Sequence, residues 1–237
     1  SINSIGFLMF DGFENLKAFY GKFASADHRC LIIDGVLVAF APAGLKKYEI
    51  PEGVTSIGNY AFISCKELEE VIIPNSVTAI GECAFEYRKN LKEITIPNSV
   101  NSISHSVFVG CENLNAFYGR FASADHRCLI IDGELVAFAP AGLKYYEIPE
   151  GVTAIGDCAF KHADELREVT IPDGVKTIGC FAFGFLPNLA KITIPNSVTS
   201  IDHHAFKRCK KLGTITIPRN TIIGEGAFED CDNVNII

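Results

Sequence analysis

The chain lacks the patterns from which most activities are read. It has no run of 18 or more apolar residues, so it offers no segment of the length a membrane-spanning helix needs. The basic-then-apolar opening of a secretory signal peptide is also missing. Lys and Arg number 21 against 28 Asp and Glu, with the signs interspersed and a net charge of −7. Nucleic-acid binding needs a basic stripe, and none is present. Nine cysteines occur without one Cys-x-x-Cys pair. The gathered thiolates of a zinc site are therefore not offered, and no cofactor is implied.

What the chain does have is repetition. The motif Ile-Pro-x-x-Val-x-x-Ile-Gly-x-x-Ala-Phe recurs with prolines at Pro51, Pro74, Pro97, Pro149, Pro172, Pro195 and Pro218. The spacing is 23 residues, apart from one step of 52, which is a 23-residue unit plus a unit of 29. Ala116–Gly142 repeats Ala18–Gly44 almost letter for letter at an offset of 98 residues. Repetition is thus nested. Residues 1–98 and 99–196 are copies of a four-unit block, and 197–237 begin a third that lacks the long unit. A fixed period in the range of 20–29 residues with leucine-like anchors marks a leucine-rich-repeat solenoid. A single unit cannot bury its own apolar face, so units must stack. The expectation is one domain over 1–237, of about ten rungs. Ile2 and Ile5 take the places that Val54 and Ile57 take later, so Ser1 enters in mid-unit and the chain is expected to be a mature or trimmed piece.

Within a unit, Val71 and Ile73 alternate with Ile72, as in a short strand. Pro74 closes the strand, because it lacks a backbone donor. Val77 and Ile80 turn inward again, and Ala84-Phe85 is expected to begin a short helical or 3₁₀ segment on the outer side. Stacking at about 4.8 Å would join the strands into one continuous parallel sheet. Its inward anchors would be Phe19, Tyr48, Val71, Ile94, Phe117, Tyr146, Val169, Ile192, Ile215 and Ile237. Phe62, Phe85, Phe108, Phe160, Phe183, Phe206 and Phe228 would form a ladder beneath the outer side. In the 29-residue units, about 21–44 and 119–142, apolar runs flank Asp34-Gly35 and Asp132-Gly133. Asp-Gly between such runs is a strong hairpin signal. Each hairpin is placed on the convex or lateral side, in place of the helical segment.

The pattern Leu-x-x-Val/Ile-x-Ile-Pro-x-x-Val-x-x-Ile-Gly-x-x-Ala-Phe-x-x-Cys resembles the BspA-like class of leucine-rich repeats, over essentially the whole chain. The resemblance implies a bacterial cell-surface or secreted protein that adheres to host proteins or to other cells. The expected fold is an α/β leucine-rich-repeat solenoid, right-handed, with a parallel concave sheet, short helical or 3₁₀ segments and two β-hairpin insertions.

Three groups of reactive residues have plainer readings. Phe13, Cys65, Arg88, Cys111, Ala163, Leu186, Cys209 and Cys231 share one place in the unit. A place that accepts Phe, Ala and Leu as well as Cys is a packing site, where thiols behave as small hydrophobes. Cys209 with Cys231, and Cys158 with Cys180, lie on adjacent rungs, within the reach of a disulfide. Asp27-His28-Arg29-Cys30 and its copy Asp125–Cys128 hint at a Cys-His nucleophile. They travel with the hairpin, however, and read as a turn-capping cassette. His203-His204 lacks the converging ligands of a metal site and reads as polar surface.

Function is therefore sought on a face. The concave sheet should present Tyr20, Glu49, Ile72, Thr95, Tyr118, Tyr145, Glu147, Thr170 and Thr193. Tyr and Arg recur as interface hot spots. Closely alternating charges flank this column and announce no charged ligand. Glu49 and Glu147 are separated by three intervening rungs, roughly 19 Å. That is too far for two carboxylates to share one glycosidic bond, which argues against a carbohydrate-active solenoid enzyme. The reading is a non-enzymatic, adhesin-like module recognising proteins. A spacer within a larger surface protein is the alternative.

Overall fold

The computed structural model describes residues 10–237. Expectations for Ile2 and Ile5 lie outside the described residues. Two compact units form, residues 1–120 and 121–237, and each is a β-solenoid of stacked coils.

The first unit holds β1 (Cys30–Ile33), β2 (Val36–Phe40), β3 (Lys47–Glu49), β4 (Ser56–Ile57), β5 (Glu70–Ile72), β6 (Ala79–Ile80), β7 (Glu93–Ile96), β8 (Ser102–Ile103) and β9 (Ala116–Gly119). The second holds β10 (Cys128–Ile131), β11 (Glu134–Phe138), β12 (Tyr145–Glu147), β13 (Ala154–Ile155), β14 (Glu168–Thr170), β15 (Thr177–Ile178), β16 (Lys191–Thr193), β17 (Ser200–Ile201), β18 (Thr214–Ile215), β19 (Ile222–Ile223) and β20 (Asn235–Ile236).

A short rung shows how sequence becomes coil. In β5, Val71 is buried while Ile72 faces out, as the period of two requires. Pro74 ends the strand, and its carbonyl accepts the Val77 N–H at 3.1 Å, closing a tight turn. The chain then forms β6, whose Ile80 is buried. Gly81 follows because the rung before it comes too close for a side chain. A Cβ there would meet the Asn59 backbone nitrogen at 2.7 Å.

The strands form two parallel ladders in each unit. One carries the expected sheet face, in segments: β3–β5 and β7–β9, then β12–β14–β16 and β18–β20. The continuous sheet of the expectation is interrupted because pairing is thin at the seams. Lys92 N–H still reaches Glu69 O at 3.3 Å between β5 and β7, without a full ladder. The second ladder was not anticipated. It runs β1-β2-β4-β6-β8 in the first unit and β10-β11-β13-β15-β17-β19 in the second.

The hairpins lie laterally, as expected, and they start this second ladder. β1 pairs antiparallel with β2, and β2 pairs parallel with β4, placing Leu37 opposite Ile57. Asp34 and Gly35 have φ of 50° and 80°, the left-handed pair that a tight hairpin turn demands. Phe40 stacks on Phe62 with centroids 5.1 Å apart, so the hairpin also supplies the first ring of the phenylalanine ladder. Phe138 does the same for Phe160 at 4.5 Å.

The expected helical or 3₁₀ segments are absent: no helix occurs among the described residues. Two residues per rung, four apart, adopt left-handed backbone, as Cys83 (φ 53°) and Tyr87 (φ 55°) do. Their N–H groups therefore point along the stack rather than back into a helix. Phe85 N–H donates to Val107 O at 3.0 Å, and Tyr87 N–H to Val109 O at 2.7 Å. Bonds between rungs alternate with single-turn bonds, such as Glu86 N–H to Cys83 O at 3.1 Å, and no helix propagates.

The phenylalanine ladder forms. Phe62, Phe85 and Phe108 stack at 4.9 and 5.5 Å, and Phe160, Phe183, Phe206 and Phe228 at 4.9, 5.3 and 5.1 Å. Burial of each such ring contributes roughly 1.5–3 kcal/mol. The inward anchors from Tyr48 to Ile215 are buried, whereas Ile237 is not: it is 66% exposed. Ile236, not Ile237, pairs with Ile215. The last unit is one residue short between Pro218 and Ala227, and its closing strand pairs one residue earlier still, at a spacing of 21.

Candidate functional site

Strand register brings part of the predicted face together. Glu49 lies beside Ile72, Thr95 beside Tyr118, and Glu147 beside Thr170 and Thr193. All are exposed. Tyr145 stands in the neighbouring column, aligned with Glu168 and Lys191. Tyr20 lies outside the paired strands, its ring 5.1 Å from that of His28. The large side chains carry the exposure: Tyr20 is 80% exposed, Tyr145 63%, and Ile72 and Tyr118 36% each.

The flanking charges neutralise each other from rung to rung. Lys47 meets Glu70 at 2.7 Å, and Glu69 takes Lys46 at 3.0 Å and Lys92 at 2.6 Å. Lys191 pairs with Glu168. Hydrogen bonds from Lys92 and Lys46 hold the Glu69 carboxyl down at about 2. The face carries hydroxyl, aromatic and aliphatic groups with the exposed carboxylates Glu49 and Glu147 among them, bordered in part by paired ions.

The Asp-His-Arg-Cys segments do cap turns. Asp27 Oδ1 accepts from the Ser25 hydroxyl at 2.5 Å and from the Arg29 N–H at 3.0 Å, while Oδ2 accepts from the Tyr48 hydroxyl at 3.0 Å. Arg29 Nη1 donates to the carbonyls of Ala41 and Ala43, holding the exit of the hairpin. Cys30 lies 3.1 Å from Tyr48 Oη, and burial pushes its thiol up to about 12. His28 is exposed with φ 61° while Cys30 is fully buried, so the two do not share a face. A Cys-His nucleophile is not assembled.

The remaining cysteines pack. Cys111, Cys209 and Cys231 each donate to the carbonyl of a phenylalanine on the preceding rung: Phe85 at 3.2 Å, Phe183 at 3.1 Å and Phe206 at 3.0 Å. That bond distinguishes Cys from Ala or Leu at this place. All nine are free thiols. Contact with Cys231 and burial both push the Cys209 thiol up. Arg88 fills the same place on its rung, 4% exposed, with Nε donating to Glu86 O at 2.9 Å. The adjacent histidines are drawn apart, His203 Nδ1 to Asp202 at 2.5 Å and His204 Nδ1 to Glu229 at 3.0 Å. Among the described residues no three metal-ligating side chains converge.

Sequence reasoning missed the turn face. Its two left-handed columns run through Tyr60, Cys83 and Ser106, with Ser64, Tyr87 and Gly110, in the first unit. In the second they run through Cys158, Phe181 and His204, with His162, Phe185, Arg208 and Asp230. The residue types vary too widely to signal a shared backbone state.

Stacked coils with two parallel ladders and a phenylalanine spine define a leucine-rich-repeat solenoid. Residues 38–120 and 134–237 match the BspA type leucine rich repeat region in six copies, and the chain belongs to that family. It is similar in structure to a leucine rich cell surface protein from Faecalibacterium prausnitzii, with 30% identity, a TM-score of 0.64, and coverage of 81% of this chain and 59% of that one. It is also similar to the pneumococcal vaccine antigen PcpA (21% identity, TM-score 0.72, covering 85% and 53%) and to a leucine-rich repeat protein from Eubacterium ventriosum (22%, 0.52, covering 81% and 66%). These last two show likeness of fold alone. The chain thus spans little more than half the length of the first two. None of the three is named as an enzyme. No curated protein matches the chain.

Proposed function

We propose that the protein is a non-enzymatic, adhesin-like binding module, displayed at the cell surface or secreted, that recognises host or neighbouring-cell proteins through its sheet face. The observation that carries the reading is that each unit exposes large side chains on its sheet face, Ile72 and Tyr118 in the first and Tyr145 in the second, beside ion pairs such as Lys47–Glu70 and Lys191–Glu168. Exposed aromatic groups with few free torsions suit protein contact at low entropic cost. Likeness to a bacterial cell surface protein supports the location. The test is capture of mucosal and serum proteins on the immobilised chain, compared with Tyr145→Ala and Tyr118→Ala. Capture should fall several-fold in the variants. Capture that stays at background, or adhesion of the full-length protein that ignores both substitutions, would favour a spacer instead.

A further inference from the structure

The second unit carries a groove on its turn face, away from the sheet strands. It is an open groove of about 610 Å³. Phe185 and Pro187 supply apolar surface. Around them stand Asp164, Asp230 and Asp232, opposed by Arg208 and Lys210.

The side chains of the groove contact one another. The Arg208 guanidinium lies over the Phe185 ring at 5.2 Å, and its Nε donates to Asp230 Oδ2 at 3.3 Å. The His162 ring sits 5.1 Å from Phe185 on the preceding rung. His162, Phe185 and Arg208 all occupy left-handed backbone, with φ of 64°, 60° and 61°. Glycine is the easiest occupant of such positions, and Gly110 holds the corresponding place in the first unit, under the Tyr87 ring. Packing in the rung asks for no more than glycine there. The bulky and charged residues of the second unit act on what lies outside.

We propose that this groove binds a neutral oligosaccharide. A sugar ring offers an apolar C–H face, which suits Phe185 and Pro187. Its hydroxyls are donors and acceptors at once, and fixed carboxylates interleaved with a guanidinium match that alternation. Three aspartates against two cations leave little net field, which disfavours a strongly ionic ligand. The site is distinct from the sheet face.

Isothermal titration of the full chain with lactose, maltotriose and chitotriose tests the assignment, with 3′-sialyllactose as the anionic and deacetylated chitotriose as the cationic probe. At least one neutral sugar should bind at millimolar concentration or tighter. Arg208→Gly should weaken it about tenfold, the loss expected for charge-assisted hydrogen bonds. That substitution suits the backbone, so the fold should persist. Phe185→Leu should weaken binding as well, and Tyr145→Ala should leave it unchanged. The assignment is overturned if no neutral sugar binds, if only a charged probe binds, if binding survives Arg208→Gly, or if Tyr145→Ala abolishes it.

Discussion

The hairpin segments Ala18–Gly44 and Ala116–Gly142 differ at two positions, Lys22/Arg120 and Val36/Glu134, and they fold alike down to single hydrogen bonds. Tyr48 to Asp27 is 3.0 Å, and so is Tyr146 to Asp125. Cys30 to Tyr48 is 3.1 Å, as is Cys128 to Tyr146. The left-handed turn columns share a backbone but not a chemistry: Ser64, Tyr87 and Gly110 in one unit stand against His162, Phe185 and Arg208 in the other. Duplication serves here as an internal control. The hydrogen-bonded residues repeated in both copies hold the coil, and the turn columns that differ share only its backbone.

The largest effect should come from the part the units have in common. Phe183→Ala removes a ring stacked between Phe160 and Phe206, and Phe85→Ala one between Phe62 and Phe108. Each should lower stability by about 3–5 kcal/mol in guanidinium unfolding. A clear inequality between them would show that the two spines do not contribute alike.

Left-handed positions should separate the units by sign. Gly110→Ala puts a Cβ at φ 70° and within 2.3 Å of the Tyr87 ring, so it should destabilise by about 1–3 kcal/mol. Arg208→Gly relieves the same strain but removes the contact with Phe185. It should leave stability within about 1 kcal/mol of the parent. Thermal unfolding of the two variants checks the contrast.

Tyr48→Phe and Tyr146→Phe each delete a hydroxyl shared by an aspartate and a cysteine, and should cost about 1–2 kcal/mol apiece, equally in both copies. Burial alone would raise the carboxyls of Asp27 and Asp125. Hydrogen bonds from serine, backbone N–H and tyrosine outweigh it and hold both below the usual range. A depressed folded pKa means that the unfolded state binds more protons in the window between the two values. This stability is present above about pH 4 and is lost as pH falls through the folded pKa. Acid titrations of the tyrosine variants should show a shallower loss there than the parent does.

The smallest effect belongs to the charged border. Glu69, held at about 2 by Lys92 and Lys46, should titrate closer to an ordinary glutamate in Lys92→Gln or in high salt, with unfolding unchanged. Carboxyl NMR measures it.

Much of the fold is legible in the residues. Proline after most strands of the sheet face, Ile-Gly before most turns and Asp-Gly in each long unit mark the coil and the hairpins, because each residue is chosen for a backbone property it has by itself. The helical segment was misread because Ala-Phe and its neighbours have no local preference strong enough to decide. The bonds that reject a helix run to residues 21–22 positions away, as from Phe85 to Val107 and from Phe206 to Ala227 at 2.7 Å. The second ladder escaped notice for a similar reason. Ser56-Ile57 and Ala79-Ile80 are too short to show a period. Ile237 follows from the 22-residue length of the last unit, but its strand pairs at a spacing of 21, a register that only the pairing reveals.

On the sheet face, the outward column could be read from alternation alone, since side chains alternate along any strand. Only the stacked structure shows that Glu69 is shared by two lysines. The sequence by itself determined the period, the spine of phenylalanines and the two hairpins, because these depend on residues acting within one coil. Tertiary structure alone decided which charges cancel, which thiols find a carbonyl and which turn residues line a groove. Those outcomes depend on neighbours one rung away, at distances no single coil contains.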